Sequence, residues 1–228
     1  MFLAASLSFV AVFAASASPV PLYEIYHRTS RVTKTDLSLT AVAYFVAALT
    51  ALLVFGRLSN YLGRRLVSIA ALLVTACGSL VLTDVRGPGP LILGRILQGL
   101  GAGLASSAIA AYIVDSAPRS PRWLAASVTT GAPMVGLTIG ALGSGALVHY
   151  GPHPRMLVYV IVAAVLALCA LLVALGRDAV KRTAGAAASL RPQLHVPPAA
   201  RRFLPVASAT FVATGRCPVQ SARRSRGG

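Results

Sequence analysis

Acidic residues are scarce in this sequence: five Asp and Glu accompany 21 Lys and Arg among 228 residues, giving a net charge of +16. Only 11% of the residues are charged, whereas 56% are hydrophobic, and the mean hydropathy is +0.75. So few charged groups exclude an ordinary water-soluble domain of this length. The basic residues lie between apolar runs rather than along one polar face, so nucleic acid is not an expected partner. We expect the lipid bilayer to be the main partner of this chain.

Cysteine is also rare, and its placement indicates neither a metal site nor a disulfide framework. Cys77 and Cys169 stand alone in separate apolar runs, and Cys217 lies in the C-terminal tail. We interpret the four histidines, His27, His149, His153 and His195, as unpaired by their spacing, so they do not predict a metal site. No nucleophile has a plausible base near it. We therefore expect no enzyme, no catalytic residue, no metal and no cofactor.

Six apolar runs are each long enough to cross the bilayer, whose hydrocarbon core of about 30 Å needs roughly 20 residues of helix. No run alternates polar and apolar residues, and backbone groups inside lipid must be satisfied within their own segment, so we expect helices. The sequence predicts an all-α, polytopic membrane protein with a six-helix transmembrane domain at residues 1–176. The runs are Met1 to Tyr23, Leu37 to Phe55, Leu66 to Thr83, Leu91 to Val114, Trp123 to Val148 and Met156 to Gly176.

The first run has one feature of a secretory signal, because the segment Ala15–Ala17 resembles a cleavage site. No basic segment precedes the run, however, and its apolar character continues to Tyr23. We interpret it as a spanning helix that is broken near Pro19 and Pro21.

Lys and Arg are concentrated in the connections that follow the second, fourth and sixth runs, and they are sparser after the odd-numbered runs. Basic connections are retained on the cytoplasmic side of a membrane. The sequence therefore predicts a multi-pass protein of the cell inner, or plasma, membrane. Its N-terminus should be cytoplasmic, together with the connections that contain Arg64, Arg65, Arg119 and Arg122.

The connection between the second and third runs carries glycines and basic residues at a fixed spacing, in the order Gly56-Arg57-Leu58-Ser59-Asn60-Tyr61-Leu62-Gly63-Arg64-Arg65. This loop resembles that of the major facilitator superfamily, whose pattern is glycine, leucine, aspartate, glycine and two basic residues. The resemblance implies the N-terminal six-helix half of such a transporter fold. It also implies that a gating loop contains Gly56, Leu58, Asn60, Gly63, Arg64 and Arg65.

Asn60 departs from that family, because the resemblance leads us to expect an aspartate there. An amide keeps hydrogen bonding but loses the charge, and charge-assisted contacts are roughly twice as strong as neutral ones. We therefore expect another acid to contact the basic loop. The hypothesis is that Asp115, at the inner end of the fourth run, pairs with Arg64 or Arg65. The alternative is that Asp115 and Pro118 only mark the end of a helix.

The fourth run carries Arg95, Gln98 and Gly99, which is similar to a second signature of the same family. Helical spacing places the three residues on one face, and a permanent charge within a span needs a partner or a water-filled cavity. In the family this arginine is associated with proton movement, so Arg95 is the first candidate for transport and coupling. The alternative is that Arg95 snorkels to the outer headgroups. Glu24 is the candidate proton carrier, or else a solvated loop acid.

The fifth run carries small residues at four-residue intervals, at Gly136, Gly140 and Ser144. Such ladders let membrane helices approach each other closely. The run resembles the antiporter signature of the family, with Ala141 and Ser144 in place of a proline and a glycine, which favours efflux over uptake. The alternative is ordinary packing within a helical bundle.

The chain departs from a complete transporter near its C-terminus. Residues 177–202 are basic and rich in Ala and Pro, which suits a cytoplasmic linker between two halves. Residues 203–228 hold an incomplete, broken seventh helix, too short to span, and an aberrant basic tail. We expect a chain truncated by a frameshift or premature stop near Thr214.

One six-helix half supplies only one wall of an alternating-access pathway. The leading hypothesis is therefore an inactive fragment of a proton-coupled exporter of a small molecule. The alternatives are a half-transporter that dimerises, an uptake symporter, and a membrane protein that interacts with others without transporting. The expected partners are the bilayer, a small-molecule substrate, and a second half or a second copy.

Overall fold

The computed structural model describes residues 1–23, 26, 32–56, 62–118, 121, 123–150 and 154–176. This part of the chain is helical and contains no strand. Six of its helices are long and apolar enough to cross a membrane, which confirms the predicted all-α, six-span architecture. The helices are α1 (Phe2–Ala17), α2 (Lys34–Phe55), α3 (Arg64–Val81), α4 (Pro88–Ser116), α5 (Trp123–Tyr150) and α6 (Pro154–Ala174), and 3-10 turns at Val20–Leu22 and Leu82–Asp84 follow α1 and α3.

Several predicted features lie outside the described residues. They are the linker at residues 177–202, the broken seventh helix and tail at residues 203–228, the candidate proton carrier Glu24, and Leu58 and Asn60 of the gating loop.

The α1 helix ends where the sequence predicts a break. The helix stops at Ala17, Ser18 follows as its C-cap, and Pro19 and Pro21 belong to the next turn. A proline has no N–H and cannot continue the α-helical hydrogen-bond ladder. The carbonyl oxygen of Ala15 therefore has no backbone donor four residues later, and the last turn of α1 leaves acceptors open to other groups.

Helices α2 and α4 both begin before the predicted apolar runs, because each has a polar or proline-containing first turn. At α2, Oδ2 of Asp36 accepts from the Thr33 N–H at 2.9 Å, and Oγ1 of Thr33 accepts from the Asp36 N–H at 3.2 Å. These reciprocal bonds form a capping box. At α4, Gly87 is the N-cap and Pro88 is the first helical residue, where its fixed φ suits the helix and its missing N–H is not needed.

Helix α4 lies at the centre of the packing, in contact with α1, α2 and α3. Helix α1 also packs on α5, and α3 packs on α6. In the apolar windows of the spans, 56% of α1 and α4 and 50% of α3 is buried, against 17% of α2 and 22% of α5. Helices α2 and α5 therefore present broad apolar faces away from the described bundle, at Phe45, Leu49, Met134 and Leu142 among others.

Glycines on two faces of α4 permit this central position. Gly99 and Gly103 face carbonyl oxygens of α2, and Gly101 faces the Thr75 side chain of α3. A Cβ at any of the three glycines would overlap these neighbouring atoms. Because small residues let membrane helices approach closely, α4 packs tightly on two neighbours at once and holds Arg95 among them.

Helix α5 approaches α1 through the small-residue ladder. A Cβ at Gly136 would lie 2.5 Å from the carbonyl oxygen of Val10, and one at Gly140 would overlap that of Ala14. Ser144 is buried, and its Oγ donates to the Gly140 carbonyl oxygen at 2.6 Å. The two glycines thus form the contact with α1, whereas the Ser144 hydroxyl is satisfied within α5.

Candidate functional site

Arg95 lies about two turns inside α4 and is 6% exposed. Its Nη1 donates hydrogen bonds to the carbonyl oxygen of Ser16 at 2.7 Å and to Oε1 of Gln98 at 3.1 Å. The guanidinium carbon lies 4.6 Å from the centre of the Tyr44 ring on α2, within the range of a cation–π contact. The snorkelling alternative is therefore wrong for this structure, because the side chain turns into the bundle.

Gln98 joins α4 to α1 and α3. Its side chain is fully buried, and Nε2 donates to the carbonyl oxygen of Ala15 at 3.1 Å and to Oγ of Ser79 at 3.3 Å. Ala15 and Ser16 belong to the last turn of α1, where the break removes backbone donors. The side chains of Arg95 and Gln98 thus occupy acceptors that a continuous helix would have filled with its own N–H groups.

No carboxylate of the described residues pairs with Arg95, since the aspartates in this part of the chain lie at helix ends and bond elsewhere. Carbonyl dipoles and the Tyr44 ring provide the negative potential around the guanidinium. Nε of Arg95 and the hydroxyl of Tyr23 are buried and have no hydrogen-bond partner within the described residues. The buried cation of Arg95 therefore keeps one donor, Nε, without a partner in the part of the chain that the structure describes.

At the opposite end of α4, Arg64 and Asp115 form an ion pair. Arg64 is the first residue of α3, and its Nη1 also donates to the carbonyl oxygen of Ala111 in α4. The two side chains are 21% and 28% exposed, so the pair lies at the edge of the bundle. The structure thus contains the first of the two pairings expected for Asp115, which does more than end a helix. Its role in gating stays a prediction.

Arg65 contacts a different helix, because its Nη2 donates to the carbonyl oxygen of Ala174 at the end of α6. Carbonyls at a helix C-terminus lack intrahelical donors and carry a partial negative charge. The paired arginines therefore tie the C-terminal ends of α4 and α6 to the start of α3. Gly63 precedes them with φ 93°, a left-handed conformation that glycine adopts without strain. Gly56 is the C-cap of α2.

Sequence reasoning did not single out Tyr44, Tyr23 or the acceptors at the end of α1. Tyr44 stands in an apolar run, where an aromatic residue carries no signature of its own. A signal for the acceptors was available, since Pro19 and Pro21 identify carbonyls that lose their donors. Among the described residues, no group of three or more His, Cys, Asp or Glu could hold a metal ion.

Six membrane-length helices, a buried polar cluster and helix ends joined by arginines are the features of a polytopic helical membrane domain. The family model of the Major Facilitator Superfamily matches residues 1–219. The chain therefore belongs to this superfamily, in agreement with the motifs in its second connection and fourth helix.

Three relatives show the range of proteins that this chain is similar to. The MFS efflux transporter aclA of Aspergillus oryzae is 30% identical over 110 residues, which cover 48% of this chain and 20% of that protein. The bacillibactin exporter of Bacillus subtilis is 30% identical over 101 residues, 42% of this chain and 25% of that protein. The sugar transporter ERD6-like 6 of Arabidopsis thaliana is 28% identical over 114 residues, which cover 47% of this chain and 23% of that protein. The match thus spans no more than 25% of the length of these relatives.

Proposed function

We propose that this chain is part of a secondary active transporter that exports a small molecule in exchange for protons by alternating access. The observation that carries the proposal is the buried Arg95–Gln98 pair among α1, α2 and α4. A charge inside a span is costly and typically belongs to a substrate or proton pathway. Membership of the superfamily supports transport as the class of activity.

The direction of transport is supported by two observations. Two of the three relatives are named as an efflux transporter and an exporter, whereas the name of the third, a sugar transporter, gives no direction. The close α1–α5 contact at Gly136 and Gly140 also agrees with the antiporter-like pattern of α5. We therefore favour export over uptake.

Coupling to protons is proposed because the charge of Arg95 has no fixed carboxylate partner among the described residues. A nearby acid would be strongly affected by that charge, which favours its ionised form. Glu24 follows Tyr23 in the sequence, at the end of the same apolar run whose last helical turn contacts Arg95. Glu24 is therefore the acid that we propose to gain and lose the proton.

The chain is proposed to form one wall of the pathway and to be inactive alone. Alternating access needs two bundles that move about a shared central site. The low burial of α2 and α5 leaves apolar faces on which a second bundle can pack. We place the N-terminus and the Arg64–Asp115 pair on the cytoplasmic side of the plasma membrane, as the distribution of basic residues favours.

The test uses everted membrane vesicles that contain this chain joined to a C-terminal six-helix half. A pH-sensitive dye reports proton flux after addition of each member of a panel of sugars, drugs and organic anions. We expect at least one compound to drive proton flux, and Arg95→Ala to reduce the rate by about tenfold or more, since it removes the buried charge. Arg86→Ala is the matched control, because Arg86 is exposed and pairs with Asp84. Equal flux in the parent and Arg95→Ala would contradict the proposed coupling.

A dimer of this chain is the second candidate, and the exposed apolar face of α2 favours it. Leu49 is 58% exposed on that face. In a chain whose native cysteines are replaced by serine, Leu49→Cys should cross-link to a second copy if the chains pair through α2. Proton flux by the chain alone, together with this cross-link, would favour a dimeric transporter over one wall of a larger protein.

A further inference from the structure

Helix α3 carries three fully buried hydroxyl side chains, those of Ser68, Thr75 and Ser79. Each donates a hydrogen bond to the carbonyl oxygen four residues earlier in α3. The Oγ of Ser79 also accepts a bond from a different helix, because Nε2 of Gln98 in α4 donates to it at 3.3 Å. Ser79 therefore connects α3 to the cluster around Arg95.

The direction of each hydrogen bond at Gln98 follows from the groups involved. The Ser79 hydroxyl has one proton, which it donates to the Thr75 carbonyl oxygen at 3.0 Å, so it meets Gln98 as an acceptor. The Ala15 carbonyl oxygen can only accept. Both groups therefore face the Nε2 side of the Gln98 amide. Its Oε1 is left on the side of Arg95, where it accepts from Nη1 at 3.1 Å.

The Gln98 amide is thus held from three helices, by Ala15 of α1, Ser79 of α3 and Arg95 of α4. The last torsion of a glutamine side chain has only a broad intrinsic preference, so hydrogen bonds determine the orientation of the amide plane. Two of these contacts would leave the plane free to turn about the line that joins them. The third contact, from Ser79, prevents that rotation.

Helices α3 and α4 approach each other closely next to this contact. A Cβ at Gly78 would lie 2.9 Å from the Gly94 carbonyl oxygen and 3.0 Å from the backbone nitrogen of Gln98. Small residues allow such close approach between membrane helices. The backbone beside Ser79 therefore lies directly against the backbone that carries Gln98, and this packing fixes the distance between hydroxyl and amide.

We propose that Ser79 is a positioning residue for Arg95, which it acts on through the Gln98 amide. This inference deepens the transport function proposed above and rests on it. Arginine keeps its charge at every physiological pH, so the protein can vary only where that charge lies. The effect of the charge on a proton-carrying acid depends on the distance between them. By fixing Oε1 of Gln98, Ser79 fixes the guanidinium without contacting it.

Nuclear magnetic resonance of the Gln98 side chain tests this positioning without requiring transport. The chain has three glutamines, Gln98, Gln193 and Gln220, so glutamine labelled with nitrogen-15 at Nε2 and carbon-13 at Cδ gives a simple spectrum of the full chain in lipid nanodiscs. Gln98→Met identifies the Gln98 signals. The Nε2 protons report the bond to Ser79, and Cδ, which is bonded to Oε1, reports the bond from Arg95.

Ser79→Ala removes one acceptor and releases the amide plane. A hydrogen bond raises the chemical shift of the donated proton and that of the accepting carbonyl carbon. We therefore expect one Nε2 proton and the Cδ of Gln98 both to move to lower shift. A change at Nε2 alone would show that Ser79 only accepts a hydrogen bond, and the positioning role would be wrong. If neither signal moved, the contact itself would be contradicted.

Ser68→Ala is the matched control, because Ser68 is equally buried in the same helix and donates to the Arg64 carbonyl oxygen in the same way. It lies about 16 Å from Ser79 along the helix axis, so the Gln98 signals should not move. Ser79→Thr keeps the hydroxyl and should restore both signals. Circular dichroism checks that each variant is folded. Equal changes at Cδ in Ser68→Ala and Ser79→Ala, or no restoration by a folded Ser79→Thr variant, would overturn the positioning role.

Proton flux in the vesicle assay described above measures the effect on coupling. We expect Ser79→Ala to lower the maximal rate about threefold, as the weakening of one neutral hydrogen bond predicts. The concentration of the driving compound that gives half the maximal rate should not change, since Ser79 acts through Gln98 rather than on the substrate. Ser68→Ala should keep the parental rate. A change in the half-saturating concentration alone would assign Ser79 to binding and contradict the proposal.

Positioning and transport can fail separately. If no compound drives flux in the parent chain, the transport proposal fails, whereas the Gln98 signals still decide whether Ser79 holds the amide. If the Gln98 signals respond to Ser79→Ala but the flux of this variant equals that of the parent, transport stands and the role of Ser79 in coupling is overturned.

Discussion

The two arginine clusters at opposite ends of α4, around Arg64 and Arg95, offset the positive charge of the guanidinium with different groups. Arg64 is partly exposed and pairs with a carboxylate, that of Asp115. Arg95 is 6% exposed and contacts carbonyl oxygens, an amide and an aromatic ring, with no carboxylate among the described residues. The comparison shows that a broken helix can supply, inside a span, the negative potential that an aspartate supplies at its edge.

The break in α1 is the structural cause of this difference. Pro19 lacks the N–H that would bond to the Ala15 carbonyl oxygen, and α1 ends at Ala17. Carbonyl oxygens of its last turn, including those of Ala15 and Ser16, are therefore open to other donors. The Ser18 Oγ donates a hydrogen bond to the Ala15 carbonyl oxygen at 2.8 Å. Gln98 and Arg95 of α4 supply the other donors to Ala15 and Ser16. Arg95, Gln98 and the prolines therefore form one interdependent unit.

The largest expected effect is a loss of stability when this unit is disrupted. Arg95→Ala removes the bonds to Ser16 and Gln98 and leaves a cavity in the bundle, and we expect the free energy of unfolding to fall by about 3 kcal/mol. Reversible unfolding by sodium dodecyl sulfate in mixed micelles, followed by helical circular dichroism, measures this change. Arg64→Ala should cost much less, because its partner Asp115 is hydrated when alone. Equal costs at the two sites would remove the distinction between the clusters.

A double-mutant cycle between α1 and α4 tests the role of the break. Pro19→Ala restores an N–H that can bond to the Ala15 carbonyl oxygen, so the Gln98 amide becomes less necessary. We expect Gln98→Ala to destabilise the parent chain by about 1 kcal/mol more than it destabilises the Pro19→Ala variant. The same unfolding assay measures all four chains, with Pro133→Ala in α5 replacing Pro19→Ala as the control. Strict additivity of the two substitutions would show that the break and the amide act independently.

The sequence was sufficient for the architecture because the bilayer constrains it. A span must be long, apolar and internally hydrogen-bonded, so all six helices could be predicted, together with the break at Pro19 and Pro21. The early starts of α2 and α4 were missed because a criterion based on apolar runs ignores caps such as Thr33 and Pro88.

Only the part of the candidate site that lies within one helix could be predicted from the sequence. Helical spacing relates Arg95 to Gln98 within α4, and the structure does bring them together. Their partners on other helices depend on how α4 packs, and that depends on glycines facing both α2 and α3. Tyr44 and the acceptor at Ser16 were therefore invisible in the sequence of any one helix.

A smaller effect is expected at the Arg64–Asp115 pair. Because Arg64 and Asp115 are partly hydrated, Asp115→Asn should lower the free energy of unfolding by about 0.5 kcal/mol at physiological salt. The difference between the two chains should shrink in 1 M salt, where the screening length falls to about 3 Å. The effect of Arg95→Ala should not respond to salt, since that side chain is buried. If the effect of Arg95→Ala depends on salt, or that of Asp115→Asn does not, the description of Arg95 as buried and of the Arg64–Asp115 pair as partly hydrated would be contradicted.

The smallest expected effect has the opposite sign. Tyr23→Phe deletes a buried hydroxyl that has no hydrogen-bond partner among the described residues, so the variant should be more stable than the parent chain by about 0.5 kcal/mol. Tyr159→Phe, which breaks the 3.0 Å bond between the Tyr26 and Tyr159 hydroxyls, should instead be less stable by about 1 kcal/mol. The same unfolding assay measures both variants. Destabilisation by Tyr23→Phe would mean that the hydroxyl already has a partner within the chain.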